Sequence, residues 1–130
     1  MDYLPHVLIG LMLVFVLFLM LPLARAYLMR GKPMPDVAGL IDGRLLEEGR
    51  LLFYFSSPRC PMCRSMTPVI ERLAAQHANI IKVDVSENID LARKFGVMGT
   101  PTVVLVRAGK VDRMLVGAKS EKRVRALLEG

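Results

Sequence analysis

Hydrophobic and polar positions along the chain follow two patterns that meet near residue 30. From Val7 to Ala24 the run VLIGLMLVFVLFLMLPLA holds no charged residue and shows no polar face at helical spacing. A helix resting on a soluble core would interrupt such a run with polar positions every three to four residues. Extended back through Leu4 and Pro5, the run spans a hydrocarbon layer about 30 Å thick at 1.5 Å per residue. It predicts an N-terminal transmembrane anchor within residues 1–28, with residues 4–24 in the membrane. Residues 29–38, with Gly31, Pro33 and Pro35, read as a short semi-rigid linker. Residues 39–130 then form the domain.

Within that domain the pattern alternates between short buried runs and helical periods. AGLIDGRLLEEG predicts a short helix ending near Gly49. RLLFYF is too short for an ordinary helix and suits a buried strand. The next helix opens in CPMCRSMTP, with Met62, Met66, Val69, Ile70 and Leu73 on one side and Pro68 expected to kink it. NIIKVDV predicts a second buried strand. SENIDLARKFG predicts a helix capped by Ser86 or Asn88 and stopped by Gly96. TPTVVLVRAGKVDRMLVG splits into two strands around Ala108-Gly109, a hairpin. SEKRVRALLEG ends the pattern as a helix with Ser120 as N-cap. Strand, helix, strand, helix, hairpin, helix describes an α/β fold, with a central mixed β-sheet flanked by helices: parallel pairing first, antiparallel last.

Composition sharpens the first pattern. The 130 residues are 53% hydrophobic, more than one small domain needs, and the excess lies in the N-terminal run. Ala24–Ala26 has the small-x-small form of a signal-peptidase site, but MDYLPH before the run lacks the basic n-region of a signal peptide, which favours an uncleaved anchor. Arg25, Arg30 and Lys32 follow the run and no Lys or Arg precedes it. The positive-inside rule then places the C-terminal domain in the cytoplasm of a bacterial-type inner membrane, in single-pass topology. The alternative puts the domain on the periplasmic or extracellular side. The net charge of +6 reads as a mildly basic surface. Its basic residues are scattered, with no interleaved aromatics, which gives no sign of nucleic-acid binding.

Cys60 and Cys63 are the only cysteines. A tetrahedral zinc site needs four ligands, and the other soft donors, His6 and His77, lie far from the pair in sequence. Two inert buried thiols fit poorly with Arg59 and Arg64 beside them at a strand-to-helix junction. A redox pair fits better. With Pro61 in the first helical turn, Cys60 falls at or near the N-cap, where free N–H groups and the helix dipole stabilise a thiolate. Cys63 lies one turn on, able to close a disulfide and resolve a mixed one. A C-x-x-C that follows a strand and opens a helix in a βαβ pattern is a strong redox signal.

From about Leu51 to Leu128 the sequence resembles thioredoxin. The resemblance rests on Cys60 and Cys63, Pro68 five residues further on, KFGVMGTPTVVLV and LVGAKS. It implies the thioredoxin fold, a cis peptide at Thr100-Pro101, and a substrate groove built from Pro61, Met62, Thr100, Pro101, Val116, Gly117 and Ala118. It implies a redox-active Cys60–Cys63 disulfide and no further cofactor. Cys60 would attack and Cys63 resolve. Three departures bear on the poise of the pair. Tyr54 stands where thioredoxins carry a buried Asp, and a phenol cannot act as base at neutral pH. Lys82 matches the lysine beside that Asp and, without its partner, is free to turn outward. Arg59 replaces the tryptophan before the first cysteine and, with the Pro-Met dipeptide, favours the thiolate and a less reducing, more glutaredoxin-like potential.

These readings lead to a membrane-tethered thiol-disulfide oxidoreductase. Its partners are protein dithiols or disulfides near the membrane and an unidentified electron donor or acceptor. Two alternatives stay open. One is an extracytoplasmic protein of cytochrome c maturation or disulfide formation. The other is a non-catalytic thioredoxin-fold binding or assembly module.

Overall fold

The computed structural model describes residues 2–35 and 49–129, and the helix expected to end near Gly49 lies outside them up to residue 48. The elements run α1 (Leu4–Leu28), β1 (Arg50–Ser56), α2 (Cys63–Gln76), β2 (Ile80–Asp84), α3 (Ile89–Phe95), β3 (Thr102–Arg107), β4 (Lys110–Val116) and α4 (Glu121–Glu129). The four strands form one sheet in the order β2-β1-β3-β4. β1 pairs parallel with β2 and antiparallel with β3, and β3 pairs antiparallel with β4.

β1 is central and covered on both faces, so its apolar run has no polar alternation. The two-residue period then sorts its side chains between two cores. Leu51, Phe53 and Phe55 enter one with Phe95 of α3, their rings 4.9 to 6.4 Å apart. Leu52 and Tyr54 enter the other with Met66, Ile70 and Leu73 of α2 and Val124 and Leu127 of α4. Met66, Ile70 and Leu73 recur at helical spacing, which makes this the inner stripe of α2. The hairpin turns on Ala108 (φ 51°) and Gly109 (φ 76°), the paired left-handed conformations of a two-residue turn that matches strand twist. Ser120 caps α4 through its Oγ, which accepts from the Arg123 N–H at 3.3 Å.

Three expectations need correction. Met62 is 53% exposed and does not belong to the inner stripe, because it precedes the first regular turn of α2. That turn begins at Cys63 with Met62 as its cap, so Pro61 lies in the turn before the helix and Cys60 two residues before the cap. Residues 31–34 are not a free spacer. Gly31 N–H donates to Val111 O (2.6 Å), Val111 N–H to Lys32 O (2.8 Å), and Met34 N–H to Gly109 O (2.9 Å). The segment is laid along β4 and covers that edge of the sheet, whose backbone groups would otherwise be unpaired.

The end of α1 is part of the same packing. Ala26 is buried in the core that holds Phe53 and Phe95, and Met29 packs against it. Met29 also sits over the Gly96 turn, where a Cβ on Gly96 would come 3.0 Å from its Cγ. Residues Leu4–Ala24, in contrast, leave their large apolar side chains exposed. The helix is long and apolar enough to cross a membrane, and none of its most apolar window is buried.

Candidate functional site

β1 delivers the chain to the site and α2 leads away from it. Cys60 closes a turn on Ser57, its N–H donating to Ser57 O at 3.1 Å. Ser57 Oγ accepts from the N–H of Arg59 at 3.3 Å. Cys60 and Cys63 form the disulfide, with Cα atoms 5.3 Å apart. The two differ in access: Cys60 is 9% exposed and Cys63 3%. Cys63 N–H points at Cys60 Sγ at 3.2 Å. This is the contact an N-cap side chain makes with the third helical N–H, although the regular helix starts later, at Cys63. Arg59, Pro61 and Arg64 are exposed around the pair.

Tyr54 is fully buried beneath, and its hydroxyl meets Thr67 Oγ1 at 2.9 Å. Burial raises its pKa above the usual value near 10; the Thr67 hydrogen bond opposes this and the nearby Glu71 charge adds to it. The phenol is therefore neutral throughout the physiological range and holds no proton acceptor's charge near Cys63. Lys82 is the register partner of Tyr54 on β2, and its side chain is exposed.

The Thr100–Pro101 peptide is cis, at the entry to β3. Thr102 Oγ1 donates to Gly99 O at 2.7 Å and ties down the loop before it. At the end of β4, Gly117 N–H donates to Pro101 O at 2.9 Å, and Gly117 itself adopts φ 92°, which favours glycine. Met62, Thr100, Val116 and Gly117 line one open cleft of about 400 Å³, together with Met98 and Gly99. Pro101 is buried behind these residues; Ala118 is exposed and Pro61 lies outside the lining.

Reading the sequence did not single out seven contributors. Thr67 follows Met66 on α2 and carried no motif of its own. Met98 and Gly99 directly precede Thr100-Pro101, so chain adjacency was the available signal. The far wall of the cleft is Phe18, Leu19, Leu21 and Pro22 of α1, which had no signal, since every residue of that run reads as lipid-facing.

Comparison with known proteins gives consistent results. A family model described as Thioredoxin matches residues 42–130. The chain is 36% identical over 84 residues to the thioredoxin of Bacillus subtilis, covering 62% of this chain and 81% of that protein. It is 33% identical over 81 residues to the thioredoxin of Alicyclobacillus acidocaldarius, covering 60% and 77%. Among solved structures, a mutant thioredoxin from Halobacterium salinarum superposes with a TM-score of 0.59 at 36% identity, over 64% of this chain and 74% of that one.

Proposed function

The chain belongs to the thioredoxin family and is a thiol-disulfide oxidoreductase, and from that premise we propose that it is tethered to a membrane and reduces protein disulfides close to the membrane surface. The observation that carries the chemistry is the asymmetric pair: Cys60, the less buried of the two, whose sulfur faces the Cys63 N–H, and Cys63 one turn along. The tether reading is supported by the 25-residue apolar helix with its exposed side chains.

In the reduced enzyme the Cys63 N–H is placed to donate to a Cys60 thiolate, which favours the nucleophilic form. Cys60 Sγ attacks one sulfur of the substrate disulfide. The substrate S–S bond breaks and its other sulfur leaves as a thiolate that takes a proton from water. Cys63 loses its proton and attacks Cys60 Sγ, which re-forms the Cys60–Cys63 disulfide and expels the second substrate thiolate. Two electrons have passed from the dithiol to the substrate, and an external dithiol donor must return them. No cofactor beyond the cysteine pair enters this cycle. With Tyr54 neutral, the Cys63 proton leaves to water or to the departing substrate sulfur. Thr100, which precedes the cis-proline, and Val116 offer backbone to an extended substrate segment in the cleft, with Met62 and Gly117 beside it.

Basic residues after the apolar run, at Arg25, Arg30 and Lys32, favour a cytoplasmic domain and a reducing direction of flow. Cys60→Ser is expected to abolish reduction of insulin disulfides with dithiothreitol as donor, and Cys63→Ser to accumulate a Cys60–substrate mixed disulfide visible on non-reducing gels. Insulin reduction by Cys60→Ser at the wild-type rate would refute the assignment.

A further inference from the structure

The cleft lined by Met62, the residue between Pro61 and Cys63, has two walls of different origin. One is the loop and strand-end set of Met62, Met98, Thr100 and Val116; the other is Phe18, Leu19, Leu21 and Pro22 of the apolar helix. We infer that this composite cleft selects its substrate, taking a disulfide flanked by apolar residues in a segment of an integral membrane protein just as that segment leaves the bilayer. The inference rests on the tethered-oxidoreductase reading and names its substrate class.

Depth is the first argument. Phe18 and Pro22 lie about 9 Å and 3 Å along the helix axis from Ala24, the last residue of the apolar run. The cleft wall thus lies within the outermost layer of about 9 Å of the hydrocarbon, where an extended segment entering the cleft is just leaving the membrane.

Rigidity is the second. A tether on a flexible linker would let the domain tumble and present any face to the bilayer. Here Ala26 is buried in the domain core, and Gly31, Lys32 and Met34 hydrogen-bond along β4. The cleft keeps one orientation relative to the helix, and through it relative to the membrane.

The surface is the third. Among the described residues, the large apolar side chains exposed outside α1 and the turn before it are Met62, Ile89 and Met98. Two of these three line the cleft. On the β4 side of α1, Arg30, Arg113 and Arg123 line a pocket with Leu23, Ala26 and Tyr27, further along the helix than the cleft and in position to meet anionic headgroups. Methionines toward the hydrocarbon edge and arginines toward headgroups orient the active-site face to the bilayer. A polar substrate segment would leave the cleft's apolar walls unmatched, whereas an apolar one covers them, and methionine side chains adapt to varied apolar shapes.

The test uses the full chain in vesicles of phosphatidylcholine and phosphatidylglycerol, with dithiothreitol as donor. Three single-span peptides carry the same disulfide loop: one with apolar flanks three residues from the span, one with those flanks beyond a long Gly/Ser linker, one near the span with serine flanks. The first is expected to be reduced about tenfold faster than the other two, the factor that one or two covered apolar side chains supply. Phe18→Ala combined with Leu21→Ala keeps the span apolar and is expected to bring the ratio to within about twofold. Equal rates on all three peptides, or a ratio unchanged in the double variant, overturns the inference and leaves the tethered enzyme standing. Turnover of insulin with none of any peptide overturns the tether reading, and no turnover of either overturns the chemistry beneath both.

Discussion

Tyr54 shows what one side chain decides at this site. It occupies a fully buried position behind the cysteine pair and brings a hydroxyl that is satisfied by Thr67 rather than a carboxylate that could take a proton. Its pKa is raised, mainly by burial, so the folded protein holds the phenolic proton more tightly than the unfolded chain does. Stability from this difference is complete below the unfolded value near 10 and is lost as pH rises through the folded value. Tyr54→Phe is expected to cost about 1 kcal/mol at pH 7, from the lost hydrogen bond. It is also expected to lose stability less steeply than wild type above pH 10. Urea denaturation at pH 7 and at rising pH above 10 checks both, and parallel slopes for the two proteins would reject the burial argument. The residue's identity was legible in the sequence, as was its inability to act as a base. Its partner Thr67 was not, because Tyr54 and Thr67 are joined only when α2 folds over β1.

Among elements, the least expected behaviour belongs to the stretch between α1 and the domain. Pro33 and Pro35 suggest a spacer, yet residues 31–34 pair with β4, and Met29 presses on the Gly96 turn. Gly96 ends α3 in the left-handed conformation, φ 75°, and leaves no room for a Cβ without moving Met29. Gly96→Ala is therefore expected to destabilise the protein by about 1–2 kcal/mol, from backbone strain and from the displaced Met29. Thermal or urea unfolding measures it, and a wild-type midpoint would show that Met29 does not press on this turn. Strands and helices were readable where a local period exists: the unbroken apolar run of β1, the 66-70-73 stripe of α2, the Ser120 cap of α4. The start of α2 was not, since Pro61 is compatible both with a first helical turn and with the turn that precedes one.

At the scale of the molecule, the C-terminal end of the apolar helix is packed into the redox domain. The basic flank after the helix sets the expectation for topology. An alkaline phosphatase fusion at the C-terminus is expected to be inactive and a β-galactosidase fusion active, as for a cytoplasmic domain; the reverse pattern would move the domain across the membrane and reverse the expected direction of electron flow.

The sequence by itself determined the apolar span, the order of strands and helices, and the cysteine pair with its family motifs. These are local: each is written in the spacing of neighbouring residues, and each side chain's period names the face it buries. Only the tertiary structure decided that Met62 stands exposed, that the expected linker covers β4, and that Phe18, Leu19, Leu21 and Pro22 wall the cleft that Met62 lines. Such placements arise from contacts between residues some 40 to 100 positions apart, each weak and without a period of its own. A uniformly apolar helix, in particular, carries no stripe to say which side will meet protein and which will meet lipid.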